Sequence, residues 1–375
     1  MSILEQPDII RCVIPFLSDK ENVALMQCSI MHSNFRFTFH KKMALSVICY
    51  HRNFDAFVCV VMDYQFANMY DAPFLCGREN TLTLPKNTKQ LIIESPCRFL
   101  RSVQLPSTLT HLNICCLHQD TSILRSLFMS ITHIGLRSYT NSMRDILPPA
   151  VTHLEINGWM EHDATLLNTI THLIFGPGFD NCIDNLIAPS VTHMTLGYNF
   201  DRPISNLPAS ITHLSFGANF NRPIDNLSLH IVNLKLGRAF NQNVNKLPKT
   251  LKYLSFGACF NKKVEHLPQG LMYLKLGHGF NKPINNLPRT LMYLKLGNNF
   301  NQPVDYFPPF LTHVKFGYNF NQSVSLLPDS VTHLYLGYSF DQKLTKLPAS
   351  LQHLTLSSYK HSIKHLPLTI TIILR

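Results

Sequence analysis

The chain has 375 residues, 45% of them apolar and 15% charged, and carries a formal net charge of +11. That composition excludes a disordered chain. No apolar stretch, such as the one from Phe57 to Met62, approaches the roughly eighteen residues of a membrane helix. The charge is uneven: residues 1–85 hold seven Lys/Arg against eight Asp/Glu, and the remainder holds 26 against 14. The basic later part suits an acidic protein surface, or it keeps a long body soluble.

The first residues, MSILEQPDII, contain Glu5 and Asp8 and lack a basic start, so a secretory signal is not expected. Eight of the ten cysteines precede residue 117, and no CxxC occurs. Together these point to reduced, mostly buried thiols in a cytoplasmic or nuclear protein.

Residues 1–45 read as a small all-α module. Pro7 and Asp8 open a helix, and Ile9, Ile10, Val13, Ile14 and Leu17 follow at helical spacing. Ser18 and Asp19 break it, and Val23, Leu25, Met26 and Cys28 form a second short apolar face. Phe35, Phe37 and Phe39 come next, with Lys41 and Lys42. The stretch PDIIRCVIPFLSDKENVALMQCSIMHSNF resembles an F-box, with Gln6 where that family usually has leucine. The resemblance implies docking onto the Skp-type adaptor of a cullin-RING ubiquitin ligase, through Pro7, Ile9, Ile10, Phe16, Leu17 and Leu25. By pattern alone, the same helices serve equally well as a cap over the first layer of a repeat array. Residues 46–85 are apolar and aperiodic and read as a connecting or capping segment.

Residues 86–375 repeat. Units of twenty residues start at Val191, Ile211, Ile231, Leu251, Leu271, Leu291, Leu311, Val331 and Leu351. Looser copies start at Thr88, Leu109, Ile131, Val151 and Ile170, and a shortened one starts at Ile370, so the solenoid has about fourteen repeats. Within a unit, positions 1, 4 and 6 are aliphatic or Phe. Position 7 is Gly from Gly176 to Gly337, and position 10 is Phe from Phe179 to Phe340. Position 11 is usually Asn or Asp, and positions 17 and 18 are usually Leu-Pro.

The pattern predicts one short strand per unit, with positions 4 and 6 inward, and successive strands stacked as a parallel sheet. The glycine ends each strand where a side chain would crowd its neighbour. Twenty residues leave no room for a packed helix, so the return side is expected to be extended. A buried Asn at position 11 would satisfy turn amides of the next coil, and Asn199, Asn219, Asn299 and Asn319 at position 9 could act alike. FNRPI at Phe220–Ile224, FNKPI at Phe280–Ile284 and FNQPV at Phe300–Val304 resemble the FNIP repeat, a relative of the leucine-rich repeat. Proteins of that kind are typical of social amoebae and of giant DNA viruses of amoebae. The resemblance implies a leucine-rich-repeat-like curved parallel sheet with an extended convex side.

Positions 3 and 5 should face outward, on the concave surface. Position 3 is a ring in twelve units: His at 111, 133, 153, 172, 193, 213, 313, 333 and 353, and Tyr at 253, 273 and 293. Cross-strand stacking is the expected arrangement. A metal array is not, because successive imidazoles lack a defined coordination shell. Position 5 carries Lys235, Lys275, Lys295 and Lys315. The candidate target-binding set is therefore His193, His213, Lys235, Tyr253, Tyr273, Lys275, Tyr293, Lys295, His313, Lys315 and His333. No HExxH, GxxxxGK[ST], GxSxG or zinc spacing occurs, so no catalysis, cofactor or metal is expected. The expected function is a non-catalytic substrate receptor of an SCF-type ligase that binds a target protein, for which the lysine row suits an acidic surface. The alternative is a scaffold unrelated to ubiquitin. Nucleic acid is not the expected partner, since no recognised module accompanies the basic array.

Overall fold

A strand forms at the third to fifth positions of each predicted unit, because that is where apolar and polar residues alternate between two facing layers. The computed structural model describes residues 39–44, 57–62, 82–84, 86–93, 103–114, 129–364 and 366–374. The adaptor-docking residues Pro7, Ile9, Ile10, Phe16, Leu17 and Leu25 lie outside the described residues. The chain divides into two compact units, residues 1–137 with 142–152 and residues 138–141 with 153–375.

In the first unit, β1 (Phe39–Ala44) pairs in parallel with β2 (Phe57–Met62). A separate parallel pair joins β3 (Leu82–Thr83) to β5 (Val103–Gln104). The main ladder continues from β2 through β4 (Gln90–Ile93) and β6 (His111–Ile114) to β7 (His133–Tyr139). Two of these strands depart from the expected organisation. β1 lies inside the stretch read as all-helical, and β2 lies inside the stretch read as aperiodic. The physical reason for β1 is its partner: Phe39, Met43 and Ala44 pair with Phe57, Val60 and Val61 of the β-branched run FVCVVM. An all-α character does not extend to residue 45.

The second unit holds twelve parallel strands. They begin with β8 (His153–Met160), β9 (His172–Phe175), β10 (His193–Thr195) and β11 (His213–Ser215). Next come β12 (Asn233–Lys235), β13 (Tyr253–Ser255), β14 (Tyr273–Lys275) and β15 (Tyr293–Lys295). The last are β16 (His313–Lys315), β17 (His333–Leu336), β18 (His353–Leu356) and β19 (Thr371–Leu374). Pairing keeps like positions opposite one another, so His193 faces His213 and Lys275 faces Lys295. The return segments are turns and extended chain. Among the described residues, the longest helix is the single turn Asn141–Arg144.

The core is a stack of identical layers. In one coil, Ile211, Leu214, Phe216, Phe220, Ile224 and Leu227 are all buried. The position-10 rings form a continuous column, with Phe200, Phe220, Phe240, Phe260, Phe280 and Phe300 spaced 6.1–6.2 Å between ring centres. Each fully buried phenylalanine contributes about 1.5–3 kcal/mol. The position-7 glycines are required by close approach and not by backbone angle, since none of the described glycines has positive φ. A Cβ on Gly277 would fall 1.5 Å from the carbonyl oxygen of Gly257.

Position 11 forms a polar ladder beside this core. The backbone amides of Asn261, Asn281, Asn301 and Asn321 each donate to the side-chain oxygen of the Asn one coil earlier, at 2.9–3.0 Å. Gln302 and Gln322 donate to the same Oδ1 atoms. The ladder works as expected but is half-buried rather than buried. Position 9 contributes less, through a bond from Asn219 to Asn199 on the surface. Cys182 and Cys259 are free but exposed, which corrects the expectation of burial for these two.

Candidate functional site

Positions 3 and 5 of the second unit lie on the solvent face of the sheet, between the buried residues of positions 4 and 6. His193, His213, Tyr273, Tyr293, His313, His333, Lys275, Lys295 and Lys315 are half-buried there, whereas Tyr253 and Lys235 are exposed. None of these rings enters the hydrophobic layer.

The rings stack in two runs. His153, His172, His193 and His213 follow one another at 4.1–4.2 Å, with planes 13–14° apart. Asn233 ends this run. The second begins with Tyr253 tilted against Tyr273 and tightens to 4.4 Å between Tyr273 and Tyr293. It then passes to His313, His333 and His353, whose centres are 4.2 and 4.4 Å apart. In the first unit, His111 stacks on His133 in the same way, at 3.9 Å.

Threonine at position 2 orients the imidazoles. Oγ1 of Thr192, Thr212, Thr312 and Thr332 lies 2.9 Å from Nδ1 of the following histidine. Each of these hydroxyls also donates to a backbone carbonyl of the preceding coil, at 3.0–3.3 Å. A hydroxyl has one proton, so it is left to accept from Nδ1–H, which places the neutral ring's lone pair on Nε2. Burial pulls the pKa of His193 below the ordinary histidine value, helped by His213, His172 and His153. His333 is lowered for the same first reason, with His313 and His353 contributing.

Lys275, Lys295 and Lys315 stand on three consecutive strands, paired residue to residue. Burial lowers the pKa of Lys295, and the charges of Lys275 and Lys315 lower it further. Among the described residues, no carboxylate forms an ion pair with any of the three. The Lys315 ammonium sits 4.1 Å from the centre of the Tyr335 ring. The three lysines line a groove of about 650 Å³ whose floor is formed by the glycines from Gly257 to Gly337. Its far lip carries Tyr318 and Tyr338, 50% and 55% exposed and stacked at 4.9 Å. Lys235, one of the predicted set, is not part of the groove lining.

Sequence reasoning missed Thr at position 2, Tyr335 and the position-8 tyrosines. Recurrent TH and GY pairs carried the signal, but only the register shows that these side chains meet. Among the described residues, no group of three or more His, Cys, Asp or Glu is arranged to hold a metal ion.

The FNIP Repeat model matches residues 183–217, 205–230, 260–299, 300–339 and 323–359. These segments carry FNIP repeats. No curated protein matches the chain. Among solved structures, the chain is similar to CroV588, a circular LRR protein from a giant virus, at 23% identity and a TM-score of 0.48. That match covers 90% of this chain but only 65% of CroV588. An internalin from Listeria monocytogenes is 12% identical, with 66% and 80% of the two chains covered and a TM-score of 0.37. YopM from Yersinia enterocolitica is 16% identical, with 74% and 75% covered and a TM-score of 0.27.

Proposed function

We propose that the protein is a non-catalytic interaction scaffold that captures a protein partner on the strand face of residues 153–374. One observation carries this reading. A face of stacked rings and lysines runs through successive coils without contributing to the core beneath it. Aromatic side chains in such a face are common anchors of protein interfaces. A frame that only had to fold would have no need of them.

Within this reading, residues 1–45 dock the Skp-type adaptor of a cullin-RING ligase, so the protein acts as a substrate receptor in the cytoplasm or nucleus. Support comes from the F-box-like order of Pro7, Asp8, Ile9 and Ile10 followed by Phe16 and Leu17, ahead of a repeat array. A direct pull-down with purified adaptor tests it: the wild type should retain adaptor, and a Pro7→Ala, Leu17→Ala variant should not. A wild type that retains none leaves residues 1–45 as a cap on a scaffold unrelated to ubiquitin.

The scaffold reading has its own test. A photo-crosslinker placed at Tyr273 should trap a defined partner, and one placed at Lys262 on the return side should not. Equal yields from both positions would end it.

A further inference from the structure

The groove over the position-7 glycines is a built feature of the coil frame. No side chain can occupy its floor, because a Cβ on Gly277, Gly297 or Gly317 would fall 1.5–2.0 Å from the carbonyl oxygen one coil earlier. One wall is therefore set by position 5 and the other lip by position 8. In most coils those positions carry unrelated residues. Only across β14–β16 does position 5 become Lys275, Lys295 and Lys315 in succession, with Tyr335 on the next strand.

Holding three ammonium groups in adjacent coils is unfavourable in the empty groove. Strands lie about 4.8 Å apart, so the row crowds like charges within about 10 Å. Burial and both neighbours weaken protonation of Lys295, which is the physical sign of that crowding. The described residues supply no carboxylate to relieve it. A ligand bearing negative charge would.

We propose that the groove at Lys275, Lys295 and Lys315 binds an acidic segment of a protein partner, two or three carboxylates long, with an aromatic or apolar side chain packed on Tyr318 and Tyr338. The inference rests on the scaffold reading above and gives its partner a chemistry. Length argues for a peptide rather than a nucleic-acid strand. The charged row stops at Ser255 on one side and at Tyr335 on the other. It therefore offers about 10 Å of positive track, whereas grooves that follow a nucleic-acid backbone extend over several nucleotides. Carboxylates on one helix face, about 5–6 Å apart at i and i+4, match the step between lysines.

The test uses the full chain and a fluorescein-labelled peptide of six glutamates followed by phenylalanine, titrated by anisotropy at low and at physiological salt. The same peptide with glutamines and a single-stranded oligouridylate serve as comparisons. The glutamate peptide should bind, and the glutamine peptide should not. Lys275→Glu with Lys295→Glu should weaken binding by at least about tenfold. Lys343→Glu with Lys346→Glu, which makes the same change in net charge on the exposed return side, should leave it unchanged. A Lys295→Met variant guards against misfolding, since it removes charge and relieves repulsion; it should keep wild-type melting and still lose affinity. Equal effects of the two Glu pairs would overturn the proposal, as would oligouridylate binding more tightly than the glutamate peptide. Crosslinking from Tyr273 that survives loss of peptide binding would locate the failure in this groove and not in the scaffold reading.

Discussion

The coils from His153 to Ser215 and those from Tyr253 to Tyr335 share one frame and carry different faces. Beneath the surface they are alike from Gly176 and Phe179 onward; in the coil of His153, Asn157 and Met160 stand at those two places. Phe200 and Phe220 are 6.2 Å apart, and Phe280 and Phe300 are 6.1 Å apart. A Cβ would meet the preceding carbonyl oxygen at 1.7 Å on both Gly217 and Gly297. On the surface, the first set presents four stacked imidazoles, with Glu155, Ile174, Thr195 and Ser215 at position 5. The second presents tyrosines and a lysine row. Since the frame is satisfied equally in both, folding does not explain the difference between the faces.

The largest expected effect tests whether the frame really is shared. Valine at Gly217 or at Gly297 would drive a branched side chain into backbone. That backbone cannot easily yield, because the carbonyls the new side chains would meet, those of Gly197 and Gly277, each accept from a phenylalanine amide in the turn that follows. Each variant should lose at least about 3 kcal/mol, beyond the usual range for overpacking a core. Urea unfolding monitored by circular dichroism checks it. Losses differing by much more than the usual scatter between the two sites would show that the two halves are not one frame.

A smaller effect is expected along the position-11 ladder. Asn281→Ala removes the acceptor for the amide of Asn301 and for Gln302, and should cost about 1–2 kcal/mol. Asn281→Asp should cost little, because Asp201 already fills this place in the other set and accepts from the amide of Asn221 at 2.9 Å. If Ala and Asp behaved alike in unfolding experiments, the ladder would not be a hydrogen-bonded support in the second set as it is in the first.

Much of the frame was legible in the sequence because it repeats. A glycine at every seventh place and a phenylalanine at every tenth can be aligned by eye, and the strands begin two residues after the aligned starts at Val191 to Leu351. The face was only partly legible. Alternation put His193 and Lys275 on the solvent side, but it could not show that Lys235 stands apart while Lys275, Lys295 and Lys315 share a groove with Tyr318 and Tyr338. That grouping depends on positions 5 and 8 meeting across neighbouring coils, a relation no single unit contains. β1 was misread because its pairing with Phe57–Met62 joins two separate segments, a relation that the local pattern around Phe39 does not contain.

The subtlest prediction separates the two faces by pH. Burial makes His193 and His333 resist protonation, and the imidazoles stacked beside them add to it. In the unfolded chain the same histidines titrate near 6.5. Below that value the unfolded state takes up protons that His193 and His333 still refuse, so stability is full above about pH 6.5 and declines as pH falls toward their lowered folded values. The rings are only half-buried, which keeps the effect small. It should show as a melting temperature that is flat from pH 8 to 7 and falls between pH 6.5 and 5. Replacing His193 by tyrosine, a ring already stacked at this place in Tyr273 and Tyr293, should remove its part of the fall. The part due to His333 should remain, so a His193→Tyr variant with the full wild-type slope would mean that His193 does not resist protonation in the folded chain.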